Sequence, residues 1–256
     1  MLWIRFMIKT LITNHVIFFK VIWHYIIQNA LLKRYYTTTI KFGDITLFGP
    51  NEHWFFYTAI EVFQRKLYKK LIWCNHILDL WWYLWESAVR FSKYNQKVTV
   101  VEANKSNYDY ILKNTDWYSS IVPIYGAITH KNKTALYYEW NNYSAGWKVT
   151  TVVTDTKIPT IAIQDVFSAD IDGIKIDIEW WEYDIIEYLT TNISKQIKKW
   201  YIEFHHIQEN VEIIITFLSK LDNDKYSLQY EDIYWHNISK DIFLHATIAV
   251  VYFEIK

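Results

Sequence analysis

From residue 76 to residue 221, apolar runs of four to eight residues alternate with stretches of helical spacing. Such alternation is the signature of a mainly parallel sheet covered by helices. Strands are predicted at 76–80, 97–103, 119–128, 174–178 and 199–204, with helices over 84–93, 106–114, 182–190 and 209–221. Two further runs, 226–233 and 246–253, predict an antiparallel hairpin closing the sheet edge. The count is then seven strands in an α/β fold, with helices on both faces. Residues 135–163 read as a β-hairpin or loop insertion, with alternation at 149–153. Upstream, 40–50 predicts a short β segment leading into the turn Phe48-Gly49-Pro50-Asn51, and 57–71 predicts a helix. Residues 1 to 40 are apolar and aromatic, but Lys9, Lys20, Lys33 and Arg34 keep any run short of the roughly 18 residues a spanning helix needs. They predict amphipathic helices, with peripheral membrane contact as the alternative. No linker or repeat divides the rest, so we expect an N-terminal helical extension over 1–56 and one domain over 57–256.

Composition narrows the classes. The 27 basic and 27 acidic residues cancel, which removes the electrostatic footprint of a nucleic-acid binder. Cys74 is the single cysteine, so no disulfide framework forms and a reducing, cytoplasmic setting is predicted. Tryptophan is abnormally frequent, at 14, and glycine rare, at 5; together the 19 residues match the ordinary glycine share of about 7%. Several tryptophans stand where glycine usually marks a turn, as in Asp116-Trp117, Trp140-Asn141-Asn142, Gly146-Trp147 and Trp235-His236-Asn237. The composition predicts a codon read as glycine in the source, a reassigned UGA, and written here as tryptophan.

That substitution matters most in two places. Asp79-Leu80-Trp81-Trp82-Tyr83-Leu84-Trp85 follows the first strand and becomes a glycine-rich turn if Trp81 and Trp85 are read as glycine. A strand ending in an acid and followed by such a turn is where nucleotide-like cofactors bind in open α/β sheets. Glu102, at the end of the second strand and 23 positions beyond Asp79, is spaced to accept both hydroxyls of a ribose. The second place is Lys175-Ile176-Asp177-Ile178-Glu179-Trp180-Trp181-Glu182. Strand periodicity puts Lys175, Asp177 and Glu179 on one face and Ile174, Ile176 and Ile178 on the other. Three charges on one face of a central strand fit its carboxyl end, where a crevice admits substrate or metal. Glu203-Phe204-His205-His206 ends the neighbouring strand and is placed beside them.

In order and spacing these segments resemble the FkbM-type methyltransferases. The resemblance runs over about residues 77–206 and is carried by residues 77–85, Val101-Glu102-Ala103-Asn104 with Asn107-Tyr108, Tyr125-Gly126-Ala127, residues 175–182 and Ile202-Glu203-Phe204-His205. Departures are the tryptophans in the first loop and after Glu179, Ala103 in place of a usual proline, and Tyr83 where asparagine is common. The resemblance implies a Rossmann-like methyltransferase sheet and an S-adenosylmethionine-dependent O-methyltransferase acting on a hydroxyl of a sugar, glycan or natural-product-like acceptor. Carried over by position, Asp79 with Trp81, Trp82 and Trp85 holds the methionine end. Glu102, with Asn104 beside it, holds the ribose, and Gly126 and Ala127 border the adenine.

Methyl transfer from a sulfonium is an in-line displacement in which the acceptor hydroxyl must lose a proton. Asp177 and His205 are the candidate bases, with His205 favoured because imidazole titrates near neutrality. Asp177, Glu179 and His205 are also a candidate set for a divalent ion such as Mg2+. Two other classes compete. A non-catalytic binding or scaffold protein of the same fold follows if the indoles are genuine and fill the cofactor space. An NAD-dependent oxidoreductase is disfavoured because no hydride-transfer constellation follows the loop.

Overall fold

The computed structural model describes residues 37–50, 53–63, 68–81, 86–94, 97–130, 136–140, 147–151, 153–178, 181–192, 197–222, 226–232 and 236–255. They fall in two compact units, one ending at Leu67 and the other covering Tyr68–Lys256.

In the first unit, β1 (Thr37–Phe42) and β2 (Ile45–Pro50) form an antiparallel hairpin, followed by helix α1 (His53–Phe63). The turn lies at Gly43-Asp44, where Gly43 takes φ 62, and not at 48–51 as predicted. Left-handed backbone decides the turn, and Gly43 takes it without a Cβ penalty, whereas Phe48, Gly49 and Pro50 continue the strand. The helix predicted at 57–71 begins earlier and is over by Tyr68, whose φ of 61 leaves the helical region ahead of a short 3-10 turn, Lys69–Leu71. The predicted extension over 1–36 lies outside the described residues.

The second unit is built on an eight-stranded sheet. Its members are β3 (His76–Trp81), β4 (Lys97–Glu102), β5 (Ile121–Tyr125), β11 (Gly173–Ile176), β12 (Lys199–His205), β13 (Tyr226–Asp232), β14 (Asn237–Ile238) and β15 (Ile248–Ile255). Their order is β14-β13-β15-β12-β11-β3-β4-β5. From β12 to β5 neighbours run parallel; β15 pairs antiparallel with both β12 and β13. The parallel core and antiparallel end match the predicted architecture, with two differences. The last strand lies inside, between β12 and β13, and the two-residue β14 takes the edge.

Apolar runs explain the core strands: Val98, Val100, Val101, Ile174, Ile176, Ile202 and Phe204 are all buried. Helix α5 (Glu182–Asn192) contributes Ile185, Ile186 and Leu189 to a core shared with Trp200, Ile202 and Phe253. Helix α6 (Val211–Asp222) buries Ile214, Phe217, Leu218 and Leu221, the i, i+3, i+4, i+7 stripe of an amphipathic helix. On the opposite face Tyr68 meets Tyr201 edge-on at 4.7 Å and Phe91 of α2 (Glu86–Tyr94) at 5.8 Å.

The run predicted as one strand at 119–128 is broken at Gly126. There φ reaches 154, and a Cβ would stand 2.6 Å from Ile161 Cδ1 and 2.9 Å from the Pro159 carbonyl. Beyond it β6 (Ala127–Thr129) leaves the main sheet to pair in parallel with β10 (Thr160–Ala162), which runs into the short helix α4 (Ile163–Val166). The insertion is a small sheet of β7 (Leu136–Trp140), β8 (Trp147–Thr150) and β9 (Lys157–Ile158), with β7 and β8 antiparallel as the alternation predicted.

Successive strands step outward from β3 to β5, and the chain then returns to lay β11 on the other side of β3. Strand order reverses there, so the carboxyl ends of β3 and β11, just beyond the paired Asp79 and Lys175, form the switch point at which open α/β sheets bind ligands.

Candidate functional site

Strand register assembles the site. Asp79, Lys175 and Tyr201 are cross-strand neighbours, paired Lys175 to Asp79 and Lys175 to Tyr201. Two residues further along each strand the same face carries Asp177, Glu203 and then His205. The predicted facing of Lys175 and Asp177 holds, although β11 itself ends at Ile176.

Lys175 is fully buried. Its ammonium lies 3.2 Å from Asp177 Oδ2, 3.7 Å from Asp79 Oδ1 and 5.2 Å from the centre of the Tyr68 ring. Asp79 is equally buried; its Oδ2 accepts from Ser87 Oγ at 2.7 Å, tying the strand end to the first turn of α2. Its Oδ1 has no hydrogen-bond partner among the described residues. Burial pushes the Asp79 carboxyl up, against the pull of Lys175. The turn between them, residues 82–85, lies outside the described residues, as does the side chain of Trp81. The predicted roles of Trp81, Trp82 and Trp85 therefore fall outside the described residues.

At the end of β4, Glu102 is fully buried. One oxygen accepts from the Asn104 amide at 2.6 Å; Oε2 has no hydrogen-bond partner among the described residues. Burial holds this carboxyl well above the usual carboxylate range. The Gly126 amide donates to the Glu102 carbonyl at 2.9 Å, and the Ala127 amide donates to the Pro159 carbonyl at 2.9 Å. Gly126 thus adjoins Glu102 through the backbone, with Ala127 next to it. The buried Glu102 oxygen without a described hydrogen-bond partner fits a ribose hydroxyl of S-adenosylmethionine, whereas the glycine at 126 is required by Ile161 and the Pro159 carbonyl packed against it. Asn104 is placed differently: its Oδ1 accepts from the Ser106 and Asn107 amides at 2.8 and 3.1 Å, capping helix α3 (Lys105–Thr115).

His205 ends β12, the strand next to β11. It is buried, and its Nδ1 lies 2.5 Å from Oε1 of Glu182, which is also buried. A carboxylate only accepts, so Nδ1 donates, and Nε2 faces the other way, 3.5 Å from Glu203 Oε1. Partial burial and the neighbouring Asp177 push the Glu203 carboxyl up. Donor atoms of Asp177, Glu203 and His205 lie within 4.8 Å of one another. Glu179, the third member of the predicted metal set, lies outside the described residues.

Sequence reasoning gave Glu182 and Tyr68 no role at this site. The Glu182 pairing spans 23 residues, and nothing in local spacing announces it. Trp181 packs with Ala103 against Ala127, Leu136 and Ile158, and its indole nitrogen is buried without a hydrogen-bond partner among the described residues.

A model of the methyltransferase FkbM domain matches residues 58–225. No curated protein matches the chain. Solved structures resemble it at low identity. The methyltransferase FkbM from Methylobacillus flagellatus KT is 15% identical over 70% of this chain and 43% of its own, with a TM-score of 0.45. TYW2 of M. jannaschii, in complex with AdoMet, is 10% identical over 88% of this chain and 87% of its own, at 0.46. A Streptococcus mutans protein in complex with SAH is 10% identical over 77% and 98%, at 0.44. Among the described residues no helix is long and apolar enough to cross a membrane.

Proposed function

We propose an acceptor and a proton path from one premise: the chain belongs to the FkbM methyltransferase domain family, whose model covers well over half of it, and is an S-adenosylmethionine-dependent methyltransferase. The acceptor group is a hydroxyl, carried by a sugar, glycan or natural-product-like molecule. S-adenosylmethionine, when bound, supplies a methyl carbon activated by its sulfonium. Glu102 with Gly126 and Ala127 would hold the nucleoside, and Asp79 the amino-acid end.

One observation carries the hydroxyl reading: a buried imidazole, His205, is oriented by a buried carboxylate, Glu182, beside Asp177. Methylating oxygen requires a proton to be removed as the oxygen–carbon bond forms and the carbon–sulfur bond breaks. Asp177 and the His205 Nε2 are the groups to which we assign that proton, taken directly or through an ion they hold. Asp177 also keeps Lys175 in place, which supports His205 as the principal group.

A panel of polyols and glycans assayed for methyl transfer tests the reading, with His205→Ala as the comparison. Loss of at least a hundredfold in kcat is expected for that variant. Wild-type rates in it would remove His205 from the mechanism. The scaffold class keeps one supporting observation, the Trp181 indole packed beside Ala127 on the nucleoside side. Calorimetric titration with S-adenosylhomocysteine separates the two: absence of binding even after glycine replaces Trp81, Trp85 and Trp180 leaves only the scaffold.

A further inference from the structure

We propose that Asp177, Glu203 and His205 form a site for a divalent transition-metal ion at the acceptor end of the crevice, with Glu182 fixing the imidazole that binds it. The inference rests on the methyltransferase reading above and supplies its means of activating the hydroxyl.

Spacing is the first support. Neighbouring ligands about 2.1 Å from a metal stand roughly 3.0 Å apart in an octahedron and 3.4 Å in a tetrahedron. The His205–Glu203 pair, at 3.5 Å, already meets that distance. The outer limit of 4.8 Å for the three donors exceeds the roughly 4.2 Å of opposite octahedral ligands by little.

Orientation is the second. Metal-binding imidazoles almost always donate their other N–H to a carboxylate or carbonyl, which fixes the tautomer and raises ligand basicity. Glu182 does this to His205, and both side chains are buried.

Charge is the third. Four carboxyl groups line this end of the sheet, Asp79 and Asp177 on the Lys175 ammonium and Glu182 and Glu203 on the His205 imidazole. Asp79 Oδ1 and Glu182 Oε2 are buried and lack hydrogen-bond partners among the described residues. Two buried carboxyls with two partly buried ones beside them outnumber the one lysine ammonium, an excess that is costly and that a dication offsets. Lys175 bonds Oδ2 of Asp177, so the ion takes the other oxygen.

The donor set also selects the metal. One imidazole with two carboxylates suits Mn2+ or Zn2+ better than the Mg2+ expected from the sequence, because Mg2+ favours oxygen donors alone. An acceptor hydroxyl at an open coordination position would lose its proton to water more readily, and as its oxygen bonds the methyl carbon the carbon–sulfur bond would break and release S-adenosylhomocysteine.

The test titrates Mn2+ into the full-length chain and follows loss of the free-ion electron paramagnetic resonance signal. One Mn2+ per chain is expected, bound at least tenfold more tightly than Mg2+ in calorimetry. Glu203→Gln, at a side chain a quarter exposed and so tolerant of change, should weaken binding more than tenfold. Glu182→Gln should weaken it by about 10- to 100-fold. Folding of each variant is checked by circular dichroism. No uptake at millimolar Mn2+, or uptake unaltered by Glu203→Gln and His205→Gln, overturns the site. S-adenosylhomocysteine binding without any Mn2+ uptake would end the metal inference and leave the methyltransferase reading standing. Mn2+ uptake without nucleoside binding, in the chain carrying glycine at Trp81, Trp85 and Trp180, would do the reverse.

Discussion

Replacing Glu102 by Gln should raise the stability of this protein while weakening its hold on the donor nucleoside. Glu102 is fully buried, with one oxygen on the Asn104 amide and the other without a hydrogen-bond partner among the described residues. Glutamine keeps the first acceptor and removes the desolvated charge. An unsatisfied buried polar group costs about 1–3 kcal/mol, more when charged, and the new amide protons bring a similar cost of their own. A net gain of about 1 kcal/mol remains, or roughly 2–4 °C in Tm for a domain of this size. The sign with pH follows from linkage. Burial raises the folded-state pKa of Glu102 above its unfolded value. The penalty is therefore absent below the unfolded pKa of about 4.3 and grows as pH rises through the folded pKa. Thermal melts at pH 8 should favour the variant, and melts near pH 4 should coincide, if the rest of the protein stays folded there. In the glycine-restored chain the same substitution removes a charged acceptor from the ribose, a loss of about 1.5–3 kcal/mol, or roughly 10- to 150-fold in Kd for S-adenosylhomocysteine. A variant less stable at pH 8, or one whose gain is the same at both pH values, refutes the account of a strained carboxylate. Unchanged nucleoside affinity refutes its assignment to the ribose.

Other substitutions test neighbouring parts of the site. Lys175→Met leaves Asp79 and Asp177 facing each other without their cation, and urea unfolding should show a loss of about 3–5 kcal/mol; a neutral result would show that the ammonium does not hold the two carboxyls in the fold. Gly126→Ala sets a methyl 2.6 Å from Ile161 Cδ1 and 2.9 Å from the Pro159 carbonyl at φ 154, and should cost about 2–4 kcal/mol in the same assay. Glycine at Trp81, Trp85 and Trp180 together should create S-adenosylhomocysteine binding at least a hundredfold tighter than that of the unsubstituted chain in calorimetry; equal affinities would show that indoles at these positions do not obstruct the donor.

Legibility of the fold tracked the range of the interactions that build it. The runs at 97–103 and 174–178 announced β4 and β11 because apolar continuity is a local property of a strand buried on both faces. The period-two placement of Lys175 and Asp177 was legible for the same reason. Tyr68 was not: its left-handed φ ends a run whose composition reads as helix. The Glu182–His205 pair joins the start of α5 to the end of β12, and only the packing of that helix brings the two together. Asn104 looked like a ligand because it follows Glu102, yet the same position is the N-cap of the next helix, and its side-chain oxygen serves the backbone.

Surroundings divide the tryptophans into two kinds. Trp73 takes φ 71 and is 74% exposed. A bulky L residue in that region carries about 1–2 kcal/mol of strain, which glycine does not. Trp200 is the opposite case. It is fully buried on β12, stacked on Phe253 at 5.1 Å and edge-on to Phe217 at 6.2 Å. A glycine there would leave an indole-sized void, costing at least the roughly 3–5 kcal/mol of a Trp-to-Ala change. The glycine reading therefore demands two codons within one gene: UGA at Trp73, Trp81, Trp85 and Trp180, and UGG at Trp200. Sequencing the coding DNA decides it. UGG at every one of these positions makes the indoles genuine, leaves Trp73 strained with no compensating burial, and moves the weight of the functional reading from catalysis to a scaffold whose crevice is already filled.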